Sequence, residues 1–228
     1  MRLMFDLDGT LTDSRLGITR CIQHALTDAG CVAPPTEELT SYVGPPLAAS
    51  FCTLLRTSNP EQIERAIGAF RRRYEQTGIF ENRLYPGIAD ALTALSAAGH
   101  DMCIVTAKPR VYALRVLEHF ALANLFYDVY GPELGARDYT KASLIQEACE
   151  GVPARARRTV MIGDRAEDVF GAKSNGVGAI AVTWGYGDRR ELEHAGPDGI
   201  VASSHELLKY IRDVEEELRP MPSTDHTT

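Results

Sequence analysis

The sequence predicts an α/β protein, a Rossmann-like core with a parallel sheet and an inserted α-helical segment. Three observations carry this. Short buried apolar runs alternate with amphipathic stretches from residue 85 to near the end of the chain. A long helical stretch stands between the first apolar run and the second. Chemically distinctive residues sit just beyond the apolar runs, where an open parallel sheet places its ligands.

Leu3-Met4-Phe5 reads as a short buried strand that Gly9 breaks. Leu16 to Ala29 is amphipathic, with Ile18, Cys21, Ile22, Ala25 and Leu26 on one face. Pro34-Pro35 interrupts it, and Thr36-Glu37-Glu38-Leu39 predicts a short capped helix. Gly44-Pro45-Pro46 is a turn entering a helix that reaches about Leu55. Asn59-Pro60, an N-cap followed by proline, starts a helix running to about Gln76. After Tyr85-Pro86-Gly87 the reading is a helix over Ala89 to Ala98 and a buried strand over Met102 to Val105. A helix over Arg110 to Phe120 and a strand over Asp128 to Tyr130 follow. Next come a helix over Thr140 to Cys149 and a strand over Thr159 to Ile162, then a helix over Ala166 to Asn175 and a strand over Ala179 to Thr183. The domain reading is a core of residues 1–13 and 85–219, a helical insertion of residues 14–84 and a flexible tail of residues 220–228.

The 228 residues suffice for a core domain carrying a smaller one, and 44% hydrophobic content is enough to fill it. A net charge of −7 argues against nucleic-acid or anionic-membrane binding. No apolar run is long enough to span a bilayer, and no signal peptide fits ahead of an early acidic strand end. The five cysteines lack metal-ligand or redox spacing, so a reduced, cytoplasmic protein is expected.

Asp6 and Asp8 leave the end of the first strand on the same side, because strand side chains repeat every second residue. Two such carboxylates are costly unless a cation sits between them; a divalent cation and a phosphate ester would suit. Thr106-Ala107, Lys141 and Gly163-Asp164, with Asp168 beyond, fall at or near later strand ends. Together they point to phosphoryl transfer. Asp6 is the expected nucleophile, and Asp8 the carrier that protonates the leaving oxygen and later deprotonates water. Asp6, the Asp8 carbonyl and Asp164 are candidate Mg²⁺ ligands. Thr106, Lys141 and amides near Leu7, Gly9 and Ala107 are candidate phosphate contacts. Asp168 would hold Lys141 or water at the metal.

These ordered motifs, Asp6-Leu7-Asp8-Gly9-Thr10, Val105-Thr106, Lys141 and Gly163-Asp164-Arg165-Ala166-Glu167-Asp168, resemble those of the haloacid dehalogenase superfamily. The resemblance covers residues 1 to 215, and the insertion resembles the superfamily's C1-type cap. Tyr42-Val43-Gly44-Pro45-Pro46-Leu47, Gly78-Ile79-Phe80-Glu81-Asn82, Tyr85-Pro86-Gly87 and Trp184-Gly185-Tyr186-Gly187 are similar to its phosphoglycolate-phosphatase-like branch, and within it to the bacterial 5′-nucleotidase group. Departures narrow the reading. The cap holds no lysine for a phosphonatase Schiff base, and Asp8 sets the chain apart from true haloacid dehalogenases. Thr10 stands where the sugar-phosphate mutases usually carry Val, and Lys141-Ala142 replaces the Lys-Pro of many phosphoglycolate phosphatases.

The resemblance implies a Mg²⁺-dependent phosphatase working through an aspartyl phosphate on a small phosphorylated metabolite, as monomer or homodimer. Nucleoside 5′-monophosphates are the expected substrates, with phosphoglycolate or another small metabolite phosphate as the alternative. A non-catalytic binding module would have no need of both the nucleophile and the acid/base. In the cap, Tyr74 and Phe80 could stack on a base or pack in the core, and Arg71-Arg72-Arg73 could reach substrate or form a solvated face.

Overall fold

A computed structural model describes residues 1–136, 138–150 and 159–217. In chain order the first half holds β1 (Arg2–Phe5), β2 (Thr12–Asp13), α1 (Arg15–Asp28), α2 (Leu47–Leu54), α3 (Pro60–Gln76) and β3 (Arg83–Leu84). Then come α4 (Ile88–Ala97), β4 (Asp101–Val105), α5 (Arg110–His119), β5 (Asp128–Tyr130) and α6 (Lys141–Cys149). The chain continues through β6 (Thr159–Gly163), α7 (Ala166–Ser174), β7 (Gly178–Val182), α8 (Arg189–Ala195), β8 (Gly199–Val201) and α9 (Ser204–Glu217).

Six strands form a parallel sheet in the order β5-β4-β1-β6-β7-β8. β1 is central, with Phe5 opposite Ile104 on one side and Ile162 on the other. Its side chains alternate between two clusters. Leu3 and Phe5 pack toward α4, α5 and α9, whereas Met4 packs with Leu144, Ile145, Val169 and Ala172 of α6 and α7. The strand order changes direction at β1, so the crevice beyond its carboxyl end is where a ligand site belongs.

Two short strands the sequence reading did not separate, β2 and β3, pair antiparallel where the helical insertion leaves and rejoins the sheet. Within it α3 starts as its residues dictate: Asn59 Oδ1 accepts from the Glu61 amide at 2.9 Å and the Gln62 amide at 3.4 Å. The short helix expected over residues 36–39 is not formed. The segment instead makes successive turns, with the amides of Glu38, Leu39 and Thr40 bonded three residues back, and a 3₁₀ turn at Thr40–Tyr42. The Thr36 hydroxyl donates to the Glu37 carboxylate at 3.1 Å. β8, α8 and α9 complete the sheet edge beyond the last strand placed from sequence. The tail of residues 220–228 lies outside the described residues.

All five cysteines are unpaired. Among the described residues no helix is long and apolar enough to cross a membrane.

Inside the insertion α1 crosses the 3₁₀ turn Gly78–Phe80 at very close range. A Cβ on Gly17 would overlap the Gly78 carbonyl oxygen. Gly17→Ala should therefore cost about 1–3 kcal/mol through overpacking. It should lower the urea midpoint with an unchanged slope; a midpoint equal to that of the parent chain would refute the close approach.

Candidate active site

The three strands β4, β1 and β6 lie side by side, and each ends at a residue expected to work. Asp6 follows β1, with its amide donating to the Ile162 carbonyl at 2.9 Å. Thr106 follows β4, and its amide donates to Tyr130 at 2.9 Å. Asp164 follows β6. All three are buried.

Lys141 enters from a helix start. The Thr140 hydroxyl accepts from the Ser143 amide at 3.0 Å, and the Ser143 hydroxyl accepts from the Thr140 amide at 2.9 Å. This capping box fixes Lys141 as the first residue of α6. A cation there opposes the helix dipole, so it needs other partners. Lys141 Nζ lies 3.0 Å from Asp6 and 2.8 Å from Asp168, and donates to the Val105 carbonyl at 3.0 Å. Asp168 stands in the first turn of α7, where a carboxylate suits the dipole, and accepts from the Arg165 amide at 3.1 Å. Gly171 lets α7 approach the start of α6 closely, which brings Lys141 to Asp168.

Among the described residues no lysine pairs with Asp164. It accepts from the Thr10 hydroxyl at 3.1 Å and from the Tyr186 amide at 2.8 Å. A Cβ on Gly9 or Gly185 would overlap its side chain, and one on Gly187 its carbonyl. Gly9 also adopts φ +91°, the left-handed region. Its amide is committed to the Thr12 carbonyl at 2.8 Å, so in this structure Gly9 acts by making room for Asp164. The Leu7 carbonyl gathers the amides of Thr10, Leu11 and Thr12, which folds the turn tightly. The Ala107 carbonyl accepts from the Tyr139 hydroxyl at 3.2 Å.

Sequence reasoning expects one cation between Asp6 and Asp8. The structure gives each carboxylate its own lysine. Asp8 pairs with Lys108 at 2.5 Å, and Lys108 also donates to the Tyr74 hydroxyl at 2.8 Å. Lys108 is a site residue the sequence reading missed, although it follows Thr106 by two residues and is one of only four lysines among 24 basic residues. Of the cap residues, Tyr74 is buried, stacked on Phe70 with ring centroids 5.6 Å apart. Phe80 is exposed and packs edge-on against His119. Of the arginine run, Arg72 is solvated, whereas Arg73 is partly buried and pairs with Glu81 at 2.7 Å inside the insertion.

Carboxylate oxygens of Asp6, Asp164 and Asp168 lie within 4.8 Å of one another. Burial raises Asp6 to about 6 although Lys141 pulls it down. Burial, then the charges of Asp6 and Asp168, raise Asp164 to about 8. Burial alone would lower Lys141, but Asp168 and Asp6 outweigh it and hold the amine above its ordinary range. An all-oxygen set with more negative charge than one lysine balances fits a hard divalent cation.

The family model described as haloacid dehalogenase-like hydrolase matches residues 3–182. The chain belongs to that family. It is 39% identical over 195 residues to the 5′-nucleotidase of Pseudomonas aeruginosa, covering 86% of this chain and 88% of that one. It is 36% identical over 185 residues to the tyrosine-protein kinase PtkA of Mycobacterium tuberculosis, covering 81% of this chain but only 62% of that longer protein. A phosphoglycolate phosphatase of Vibrio parahaemolyticus is 29% identical over 216 residues, covering 92% and 95%. The crystal structure of a predicted phosphatase from Clostridium acetobutylicum superposes with a TM-score of 0.85 at 38% identity, over 93% and 98% of the two chains.

Raised carboxyl groups bind protons in the folded state that the unfolded chain has released. Their contribution is complete below the ordinary pKa of 3.8 and is lost as pH rises through about 6 for Asp6 and about 8 for Asp164. Metal-free protein in chelator should therefore lose stability between about pH 4 and 8, and Mg²⁺ should offset the loss at the upper end. Urea unfolding across that range checks it. A stability that rises with pH in chelator, with no response to Mg²⁺, would contradict this account of the cluster.

Proposed function

We propose that this chain is a Mg²⁺-dependent phosphatase of small phosphate monoesters, with nucleoside 5′-monophosphates as preferred substrates, acting in the cytoplasm. The observation that carries the reaction is the buried Lys141 between Asp6 and Asp168, with Asp164 beside them. A carboxylate can approach an anionic phosphate only where the opposing charges are neutralised. Lys141 supplies one fixed positive charge, and a divalent cation held by Asp6, Asp164 and the Asp8 carbonyl would supply the rest.

In this reading an Asp6 oxygen attacks phosphorus and the bond to the leaving oxygen breaks, with Asp8 giving that oxygen a proton. Water then attacks the aspartyl phosphate, Asp8 takes its proton, and Asp6 and inorganic phosphate are released. Thr106 and the amides of Leu7 and Ala107 hold the phosphoryl oxygens. The helical insertion, residues 14–84, acts as a cap over the leaving group and opens on the β2–β3 ribbon.

The preference for nucleotides rests on the nearer likeness to the 5′-nucleotidase, 39% against 29% for the phosphoglycolate phosphatase. That second activity is the alternative. A non-catalytic module is disfavoured, because two buried lysine–carboxylate sites would be retained at a cost to stability without use.

Phosphate release from nucleoside monophosphates, phosphoglycolate and sugar phosphates, with Mg²⁺ and with chelator, tests the reading. The expected result is metal-dependent turnover, highest on a nucleotide, and loss to background in freshly prepared Asp6→Asn. Turnover that survives chelation or this substitution would overturn the mechanism; phosphoglycolate as the best substrate would overturn only the preference.

A further inference from the structure

The pair Lys108–Asp8 has no part in the scheme above, yet it joins the cap to the residue assigned to carry the proton. Lys108 lies in the loop after β4, and both its side chain and that of Asp8 are largely buried. Its amine meets Asp8 Oδ2 at 2.5 Å and donates to the Tyr74 hydroxyl at 2.8 Å. Tyr74 belongs to α3 of the cap and is itself fixed from two sides. It stacks on Phe70 at an interplanar angle of 12°, and meets Tyr112 of α5 edge-on at 5.2 Å. The neighbouring cap residue Glu75 reinforces the contact: its carboxylate accepts from the Tyr112 hydroxyl at 2.6 Å and its carbonyl from Arg115 at 2.8 Å. The Lys108 backbone is anchored independently, with its amide donating to the Thr106 hydroxyl at 3.3 Å.

One oxygen of Asp8 is therefore taken. The other, Oδ1, is buried and has no hydrogen-bond partner among the described residues. A buried carboxylate oxygen without a partner is costly, and here it is the atom left free for a leaving oxygen or a water.

We propose that Lys108 is a positioning residue for Asp8, and that Tyr74 seats it from the cap, so that Oδ1 is aimed at the leaving group only when α3 is docked on α5. The inference rests on the reading of Asp8 as the proton carrier. It assigns the cap a part in the chemistry besides covering the substrate. The lysine is the group suited to this. A flexible stem carries a compact charge with three donors, enough to hold a carboxylate and a phenol oxygen together.

The test separates positioning from general structural damage by the leaving group. A poor alkoxide leaving group, as in a nucleoside 5′-monophosphate, needs the proton; 4-nitrophenolate needs it far less. The measured quantity is kcat/KM for the alkyl substrate divided by that for 4-nitrophenyl phosphate. General acids contribute about 10²–10⁴-fold, so Lys108→Met should lower this ratio by about 100-fold and Tyr74→Phe, which keeps the ring, by about 10-fold. Lys108→Arg should recover part of the loss. Equal losses on both substrates, or no loss in either variant, would overturn the proposal while leaving the phosphatase reading intact. Parent protein that hydrolyses neither ester would overturn the phosphatase reading itself and this inference with it. Circular dichroism and the urea midpoint of each variant distinguish a shifted ratio in folded protein from loss of fold. If Lys108→Met does not fold, Tyr74→Phe alone decides.

Discussion

Three carboxylates and one ammonium group sealed at the carboxyl edge of the sheet set the conditions for everything around them. Lys141 is shared between Asp6 and Asp168, and Asp164 beside them accepts from the neutral Thr10 hydroxyl and Tyr186 amide. Desolvated charges of one sign are tolerable only with a partner close by. Much of the surrounding structure serves to hold those partners: the capping box that starts α6, the close approach of α6 and α7, and the glycines packed around Asp164. The excess of negative charge that remains suits a hard cation.

The cluster is also tied to the place where the helical insertion leaves the sheet. Tyr186 donates its amide to Asp164, and its hydroxyl lies 3.2 Å from Asp13 of β2 and 3.4 Å from Ser14. Arg83 of β3 pairs with the same Asp13 at 2.8 Å, and Trp184 donates to the Thr10 carbonyl at 2.9 Å. One loop, residues 184–187, thus touches the acid cluster, the turn after β1 and the β2–β3 ribbon. Glycines on both sides of Tyr186 make this possible, because any side chain there would collide with Asp164.

Much of this was legible in the sequence. Asn59-Pro60 wrote its own helix start, and the short apolar runs ending in Asp6, Thr106 and Asp164 announced three strand ends, which the sheet order then sets side by side. Those signals are local: a cap, a period, a turn residue. In place of the short helix over residues 36–39 stand turns closed by bonds from Glu38 to Pro35 and from Leu39 to Thr36, a choice that composition does not reveal. Arg73 read as part of a charged surface run, yet Glu81 draws it inward. Lys108 escaped notice because a single lysine in a loop has no periodicity.

By itself the sequence determined the order of elements and the acids and lysine that meet at the candidate site, since each sits beside a turn or strand end that its neighbours dictate. Which charge meets which was decided only by the tertiary structure. Asp6 and Asp8 are two residues apart, but their lysines come from positions 141 and 108, on separate elements. Parallel-sheet topology brings those elements to one edge, and burial there turns loose proximity into obligatory pairing. The contact from Tyr74 to Lys108 spans cap and core, and exists because α3 docks on α5; no local pattern encodes it.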